Sequence, residues 1–289
     1  MAVSTDTATE LTREQVSTIL TRPLEARSIF LAAGARIFDT DGSPVRIPAL
    51  PGSTAESLEW VGENEQIPEV DPEFSETVLL PSTMQSVKVI TRYSNELARQ
   101  SVVALDAALR DRLVTDVAAK IDGQLLSDTG DGVTTPRGLF AYAGTQSVAV
   151  DGPLDLDAIL AAQGLALGAN VDAARLRLVI RPGDYMALRA IRDNDDRFML
   201  QPDATAGGVA SVLGVPVLIS SRIPEGRAAL VDFSQVAVAR DLAPSVKILT
   251  ERYADFDQQA IRVVARYDAA PLNPEAVVTF DGITEPVEA

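Results

Sequence analysis

The chain has no cysteine and no histidine, a single tryptophan, and only three lysines (Lys88, Lys120, Lys247) among its 25 cationic side chains. Without cysteine there can be no disulfide and no thiolate chemistry, which fits a reducing compartment. Without histidine, Ser-His-Asp and Cys-His activation, imidazole-ligated metals and the side chain best suited to proton transfer near neutral pH are all excluded. Carboxylate-pair or lysine-based catalysis stays open, but none of the three lysines sits in a recognisable catalytic motif. No apolar run reaches the roughly 20 residues of a membrane-crossing helix. The opening MAVSTDTATELTREQ lacks the basic region and apolar stretch of a secretory signal.

What is abundant is negative charge. The 289 residues carry 41 Asp and Glu, a net charge of −16 and a pI near 4.4. A phosphate-gripping surface needs clustered Lys and Arg, so nucleic-acid binding is not the expected main function. Acidity keeps a protein soluble at high local concentration. Arginine supplies most of the positive charge and suits bidentate pairing at interfaces, although GC-rich codon usage accounts for the same bias. A hydrophobic content of 46% and a mean hydropathy of +0.11 are those of a globular chain with a real core, in one large domain or two modest ones.

The most telling segment is an acidic tongue over residues 53–90. Alternating stretches at Ser57–Val61 and Phe74–Leu80, the latter continuing into Ser86–Thr91, flank a turn-prone run with Pro68 and Pro72. Period-2 alternation around a turn predicts an antiparallel hairpin. An isolated two-stranded ribbon is at best marginally stable in water. Leu58, Trp60, Phe74 and Leu79 therefore need a surface to lie on, and a neighbouring subunit is the natural supplier. Glu63 and Glu65 are expected to meet cations on that neighbour, and Arg92, just past the ribbon, joins them as a candidate interface residue.

Other motifs read as structure. The acidic groups Glu63/Glu65/Glu69/Asp71 and Asp193/Asp195/Asp196 are expected to be solvated loops rather than the paired acids of a hydrolase. Asp128 and Asp131 in SDTGDG lack the alternating oxygen ligands and closing Glu of a calcium loop, so a helix-stop turn is expected. There is no Gly-rich phosphate loop and no dinucleotide fingerprint.

Along the chain, residues 1–22 read as a polar arm, with Thr12 and Gln15 placed to cap a short helix through Ile19. From Ser101 to Leu126, apolar residues at Leu105, Leu109, Leu113, Val117, Ile121 and Leu125 predict one long helix, with Asp106, Arg110, Asp111, Asp116, Lys120 and Asp122 on the rest of its surface. Residues 151–235 predict an α/β unit, and period-2 patterns dominate from Gln235 onward. Helices and strands are partly segregated, which predicts an α+β fold.

This ordered set of pieces resembles the major capsid proteins of tailed bacteriophages with the HK97 fold. The resemblance rests on the arm, the hairpin, the long helix, TPRGLF, LRLVIRPGDYMALRAIRD, GGVASVLGVPVLISSRIP and ILTERYADFDQQAIRVVARYDAAPLNPEAVVTF, and it covers about residues 22–280. It implies an N-terminal arm (1–22), an extended E-loop hairpin (53–90) and an axial α/β domain (151–235). It also implies a peripheral domain with the spine helix and a β-sheet (23–52, 91–150 and 236–289).

By the same resemblance, copies self-assemble into hexamers and pentamers of an icosahedral shell around double-stranded DNA. The expected place is the virion, after assembly in the host bacterial cytoplasm, with no cofactor, metal or catalytic residue. A separate scaffolding protein, a portal and a decoration protein are the implied partners. The covalent cross-link of the family's prototype is not expected. No lysine lies between Ser53 and Val87, Phe256-Asp257-Gln258-Gln259 occupies the region of the prototype's asparagine, and Arg266 stands near the position of its glutamate. An encapsulin-like nanocompartment shell and a soluble carboxylate enzyme are the alternatives.

Overall fold

The structure, a computed structural model, describes residues 24, 28–49, 60–62, 75–96, 105–192, 195–200, 211–241, 245–249 and 251–284. The arm expected at 1–22 lies outside the described residues, as does its helix at Thr12–Ile19. Four helices are present among the described residues: α1 (Ile29–Ala32), α2 (Leu105–Leu125), α3 (Leu156–Gly168) and α4 (Pro182–Ala190). The fold is α+β.

Helix α2 is the expected long helix. Leu113, Val117, Ile121 and Leu125, one turn apart, are all buried, together with Val114 and Ala118 beside them. That stripe packs on a three-stranded antiparallel sheet ordered β11 (Ser245–Leu249), β12 (Gln258–Ala265), β4 (Val87–Ser94). Ile261, Val263, Ala265 and Tyr93 fill the sheet's inner face. A second sheet joins β1 (Arg36–Thr40), β10 (Val236–Asp241) and β13 (Tyr267–Pro271), with β1 parallel to β10.

The α/β unit is built on six strands: β5 (Gln146–Gly152), β14 (Val277–Ile283), β9 (Arg227–Asp232), β6 (Leu176–Ile180), β8 (Val215–Ile219) and β7 (Ser211–Val212), in that spatial order. Its helix α3 is capped by Asp155, whose side chain accepts from the backbone N–H of Ala158. Helix α4 opens with Pro182 at its first position. Strand β14, grouped by sequence order with residues 236–289, pairs with β5 and β9 and adds Val278, Phe280 and Ile283 to this unit's core. Chain order concealed that return.

The ribbon also differs from expectation. Its base is β2 (Val45–Ala49) paired antiparallel with β3 (Ser75–Leu79), so the first strand begins eight residues before Ser53. Ser86–Thr91 is not the ribbon's continuation: β4 belongs to the sheet under α2. The break falls at Leu80, whose φ of 52° turns the chain through the left-handed region. This conformation costs a non-glycine residue about 1–3 kcal/mol unless the surroundings hold it.

Asp268 on β13 holds it. Its carboxylate accepts from the backbone N–H of Leu80 at 2.8 Å and of Ala269 at 2.9 Å. Arg266 donates to the carbonyl of Pro81 in the same corner. Leu79 and Leu80 are buried with Met84 against Ala237 and Ala239. Burial pushes the Asp268 carboxyl up to about 6, against the two N–H donors, Arg266 and Arg137, which pull it down.

A second buried carboxylate ties the start of the fold to the long helix. The sequence pattern puts Asp122 among the charges on the rest of the surface of α2, yet it is only 4% exposed. It accepts from the Ser28 hydroxyl at 2.6 Å and from the backbone N–H groups of Ile29 (2.9 Å) and Phe30 (3.3 Å). These N–H groups have no partner within helix α1, so a carboxylate there satisfies both the hydrogen bonds and the helix dipole.

Replacing Asp122 by Ala leaves those donors buried and unpaired, with an expected loss of about 3 kcal/mol in urea unfolding; a loss under about 0.5 kcal/mol contradicts this role. For Asp268 the raised pKa means that the native state binds the proton more tightly than the unfolded chain. Its contribution is therefore fully present below pH ~4 and is lost as pH rises through 6, by on the order of 2–3 kcal/mol. The stability difference between wild type and Asp268→Asn should shift by that amount between pH 4.5 and 7, and a flat difference refutes the assignment.

Candidate assembly surface

The described base of the ribbon is sheltered by its own chain. Leu79, expected to lie against a neighbour, is 1% exposed and packs inside its own subunit. That corrects the expectation: Leu79 is the last residue of β3 and faces Ala237 and Ala239 of β10, so its partner is the second sheet. Trp60 is the opposite case. At 104% relative exposure the indole is fully exposed, and Val61 beside it is 37% exposed. Leu58, Glu63, Glu65 and Phe74 lie outside the described residues.

Arg92 is exposed on β4 with its guanidinium 5.2 Å from the ring centroid of Tyr253, and Arg252 lies 5.5 Å from the same ring. The strand register places Arg92 in a wider pattern. Lys88 pairs with Val264, Ile90 with Arg262, and Arg262 with Lys247, so these side chains share the sheet face turned away from α2. Ile90 is 41% exposed there. At the edge of this face a groove of about 510 Å³ runs between α2 and β4. Val89, Val117, Ile121 and Leu125 line it, with Lys88 and Lys120 among the polar lining residues.

A second cavity, of about 310 Å³, lies beneath the ribbon base and is lined by Arg137, Tyr142, Asp268 and the β3 residues Thr77–Leu79. Tyr142 is buried, its hydroxyl has no hydrogen-bond partner among the described residues, and burial together with the charge of Asp268 drives its pKa far up. A phenol in that state is no acid at neutral pH.

The loop after α2 is a turn. Asp131 accepts from the backbone N–H groups of Val133, Thr134 and Thr135 and from the hydroxyls of Thr134 and Thr135. Those bonds, the Thr135 N–H foremost, hold its carboxyl well below the usual carboxylate range and occupy its oxygens. A β-carbon on Gly130 would come within 2.1 Å of the Pro136 carbonyl, and one on Gly138 within 2.1 Å of the Ser127 carbonyl. Close backbone approach therefore explains both glycines around TPRGLF. Among the described residues no three His, Cys, Asp or Glu side chains are grouped to hold a metal ion. Asp196, from the other acidic group, is paired with Arg192 at 2.6 Å.

Two features escaped the sequence. The buried carboxylates Asp122 and Asp268 carry no local signal for their burial, because apart from the adjacent Ala269 N–H their donors are 92 to 94 and 188 positions away. The cationic face was legible in part, since the alternation Lys88-x-Ile90-x-Arg92 puts all three on one side of a strand, but Arg262 and Lys247 join it only through the pairing.

Comparison with known proteins follows the same lines. The structure resembles a capsid described as "Capsid of native GTA particle computed with C5 symmetry" with a TM-score of 0.69 and 18% identity, covering 89% of this chain and 90% of that one. A chain from Mycobacterium phage Bobi matches with a TM-score of 0.68 and 18% identity over 91% of each chain. One from Mycobacterium phage Adephagia matches with a TM-score of 0.68 and 18% identity, covering 89% of this chain and 90% of that one. At such identities these likenesses establish the fold, which is that of phage capsid shells of the HK97 type. No curated protein matches the sequence. The family model described as "Phage capsid family" matches residues 10–282, nearly the whole length, and on that match the chain belongs to the phage capsid family.

Proposed function

We propose that this protein is the major capsid protein of a tailed phage, whose copies form hexamers and pentamers of an icosahedral head around double-stranded DNA. Family membership supports a shell component that associates with itself. The observation that carries the finer reading is Trp60, a large aromatic side chain fully exposed between the two strands of the ribbon base in the sequence. Burying such a ring typically dominates an interface. The α/β unit offers further exposed apolar side chains, among them Met186, Phe198 and Met199, for contacts at another edge.

A shell held together without cross-links is supported by the absence of lysine between Ser53 and Val87. Many modest contacts, each made locally more concentrated by the others, then close a stable container. A net charge of −16 favours enclosing DNA over gripping it, since strong phosphate binding would oppose both packing and release.

Expression of the full chain should yield closed shells or capsomer-sized oligomers by negative-stain microscopy and sedimentation. Trp60→Ala should weaken assembly by about 2–4 kcal/mol per contact while leaving the subunit's own unfolding midpoint in place. A wild-type chain that stays monomeric at high concentration contradicts the shell reading. An indole substitution that lowers subunit stability and leaves assembly intact contradicts the anchor.

A further inference from the structure

We propose that the corner at Leu80 is a proton-operated hinge of the ribbon: protonated Asp268 latches the corner, and ionised Asp268 withdraws into the cavity beside it and lets the corner open. Every group involved lies inside one subunit, so the hinge stands apart from the shell reading.

The chain on one side of the corner is pinned. The Met84 N–H donates to the Pro81 carbonyl at 2.9 Å, the Thr83 hydroxyl to the Val133 carbonyl at 2.7 Å, and the Gln85 N–H to the Thr134 carbonyl at 2.9 Å. On the other side the ribbon strand β3 ends at Leu79. Between them stands Leu80, with a φ of 52°. A non-glycine residue keeps that conformation only where its surroundings impose it. Here one side chain does much of the imposing. One oxygen of Asp268 takes the Leu80 N–H at 2.8 Å, and the other takes the Ala269 N–H at 2.9 Å. The contact thus falls on the residue where pinned chain and ribbon meet, which is where a hinge would be latched.

The latch also has somewhere to go. Asp268 lines the cavity of about 310 Å³ together with the β3 residues Thr77–Leu79. That space has room for several waters. A carboxylate turned into it is hydrated without unpacking the core, and the Leu80 N–H is then released.

Charged and titratable groups on the surrounding elements set the direction of the response. Arg266, on the same strand junction, donates to the Pro81 carbonyl, and Arg137 donates to the Asp131 carbonyl at 3.1 Å. Tyr142 and Tyr267 are neutral phenols. The ribbon base brings Arg46 and Glu76, paired at 3.0 Å, and β10 brings Asp241 and Arg240, the latter paired with Asp39 at 2.6 Å. Burial outweighs the two N–H donors and the cations Arg266 and Arg137, so the latched carboxyl sits at about 6 against an ordinary 3.8. Released into water it returns toward the lower value. The closed corner therefore binds the proton more tightly than the open one, so acid closes the hinge and a rise in pH through 6 favours opening.

The test is amide hydrogen exchange at Leu80 in unassembled full-length subunits, corrected for the intrinsic pH dependence of exchange. From about pH 5 to 7.5 the opening constant should rise about tenfold. Leu80 should open more readily than Ile261 in the core strand β12. The fluorescence anisotropy of Trp60, the only tryptophan, should fall over the same range. Asp268→Asn keeps an acceptor for the Leu80 N–H and cannot ionise, so both readings should become flat. Should that variant not fold, the wild-type readings at Leu80, Ile261 and Trp60 decide alone.

A wild-type opening constant that does not change with pH overturns the hinge, as does an unchanged rise in Asp268→Asn. One common exchange rate at Leu80 and Ile261 assigns the effect to global unfolding and overturns it too. Faster exchange at Leu80 with constant Trp60 anisotropy confines the motion to one hydrogen bond and overturns a hinge of the ribbon. Unassembled subunits give all of these readings, whether or not the chain forms shells.

Discussion

A two-stranded ribbon satisfies its own inner hydrogen bonds and nothing more: its edges and at least one face need cover from elsewhere. In this chain the described base of the ribbon is covered from within. Val45–Ala49 and Ser75–Leu79 lie against the second sheet, and the corner beyond them is closed by the buried pair Leu79 and Leu80. Trp60, which falls between the two strands in the sequence, is fully exposed. An exposed indole is a side chain that association would bury, and the fold holds the ribbon firmly at its base.

The root is held by polar groups in the interior, not by packing alone. Asp268 spans 188 positions to fix Leu80 in a left-handed turn, and Arg266 fixes Pro81 from the neighbouring residue on the same strand junction. At the other end of the core, Asp122 fastens the start of α1 to the long helix. Both carboxylates sit in low-dielectric surroundings, where a satisfied network is rigid and a broken one is costly. The ribbon thus leaves a stiff platform, and a stiff platform lets many weak contacts act together, because little ordering entropy remains to be lost on assembly.

What the sequence made legible follows from how local each signal is. The long helix was readable because Leu113, Val117, Ile121 and Leu125 recur once per turn and every one of them is buried. The turn at SDTGDG was readable because the Asp131 carboxylate accepts from residues two to four positions away. Pairing partners were not readable. Nothing in Ser75–Leu79 indicates Val45–Ala49 over Ser57–Val61, since both alternate, and the choice is made by which strand the second sheet can shelter. Leu79 was misplaced for the same reason. Strand β14 was grouped with its neighbours in the chain although it pairs with β5 and β9, and Asp122 was placed on the rest of the helix surface because a single acid on a helix has no pattern.

Charge distribution carries the remaining step. An even spread of 41 acids and 25 cations would make copies of this chain repel one another. Segregation changes that. Residues 50–74 carry carboxylates and no Lys or Arg, whereas Lys88, Lys247 and Arg262 share the outer face of the sheet β11–β12–β4. Charges farther apart than the Debye length of about 8 Å are largely screened at physiological salt, whereas contacts made at the surface act within it. Where the charges sit on the surface therefore matters more to close association than the net charge does.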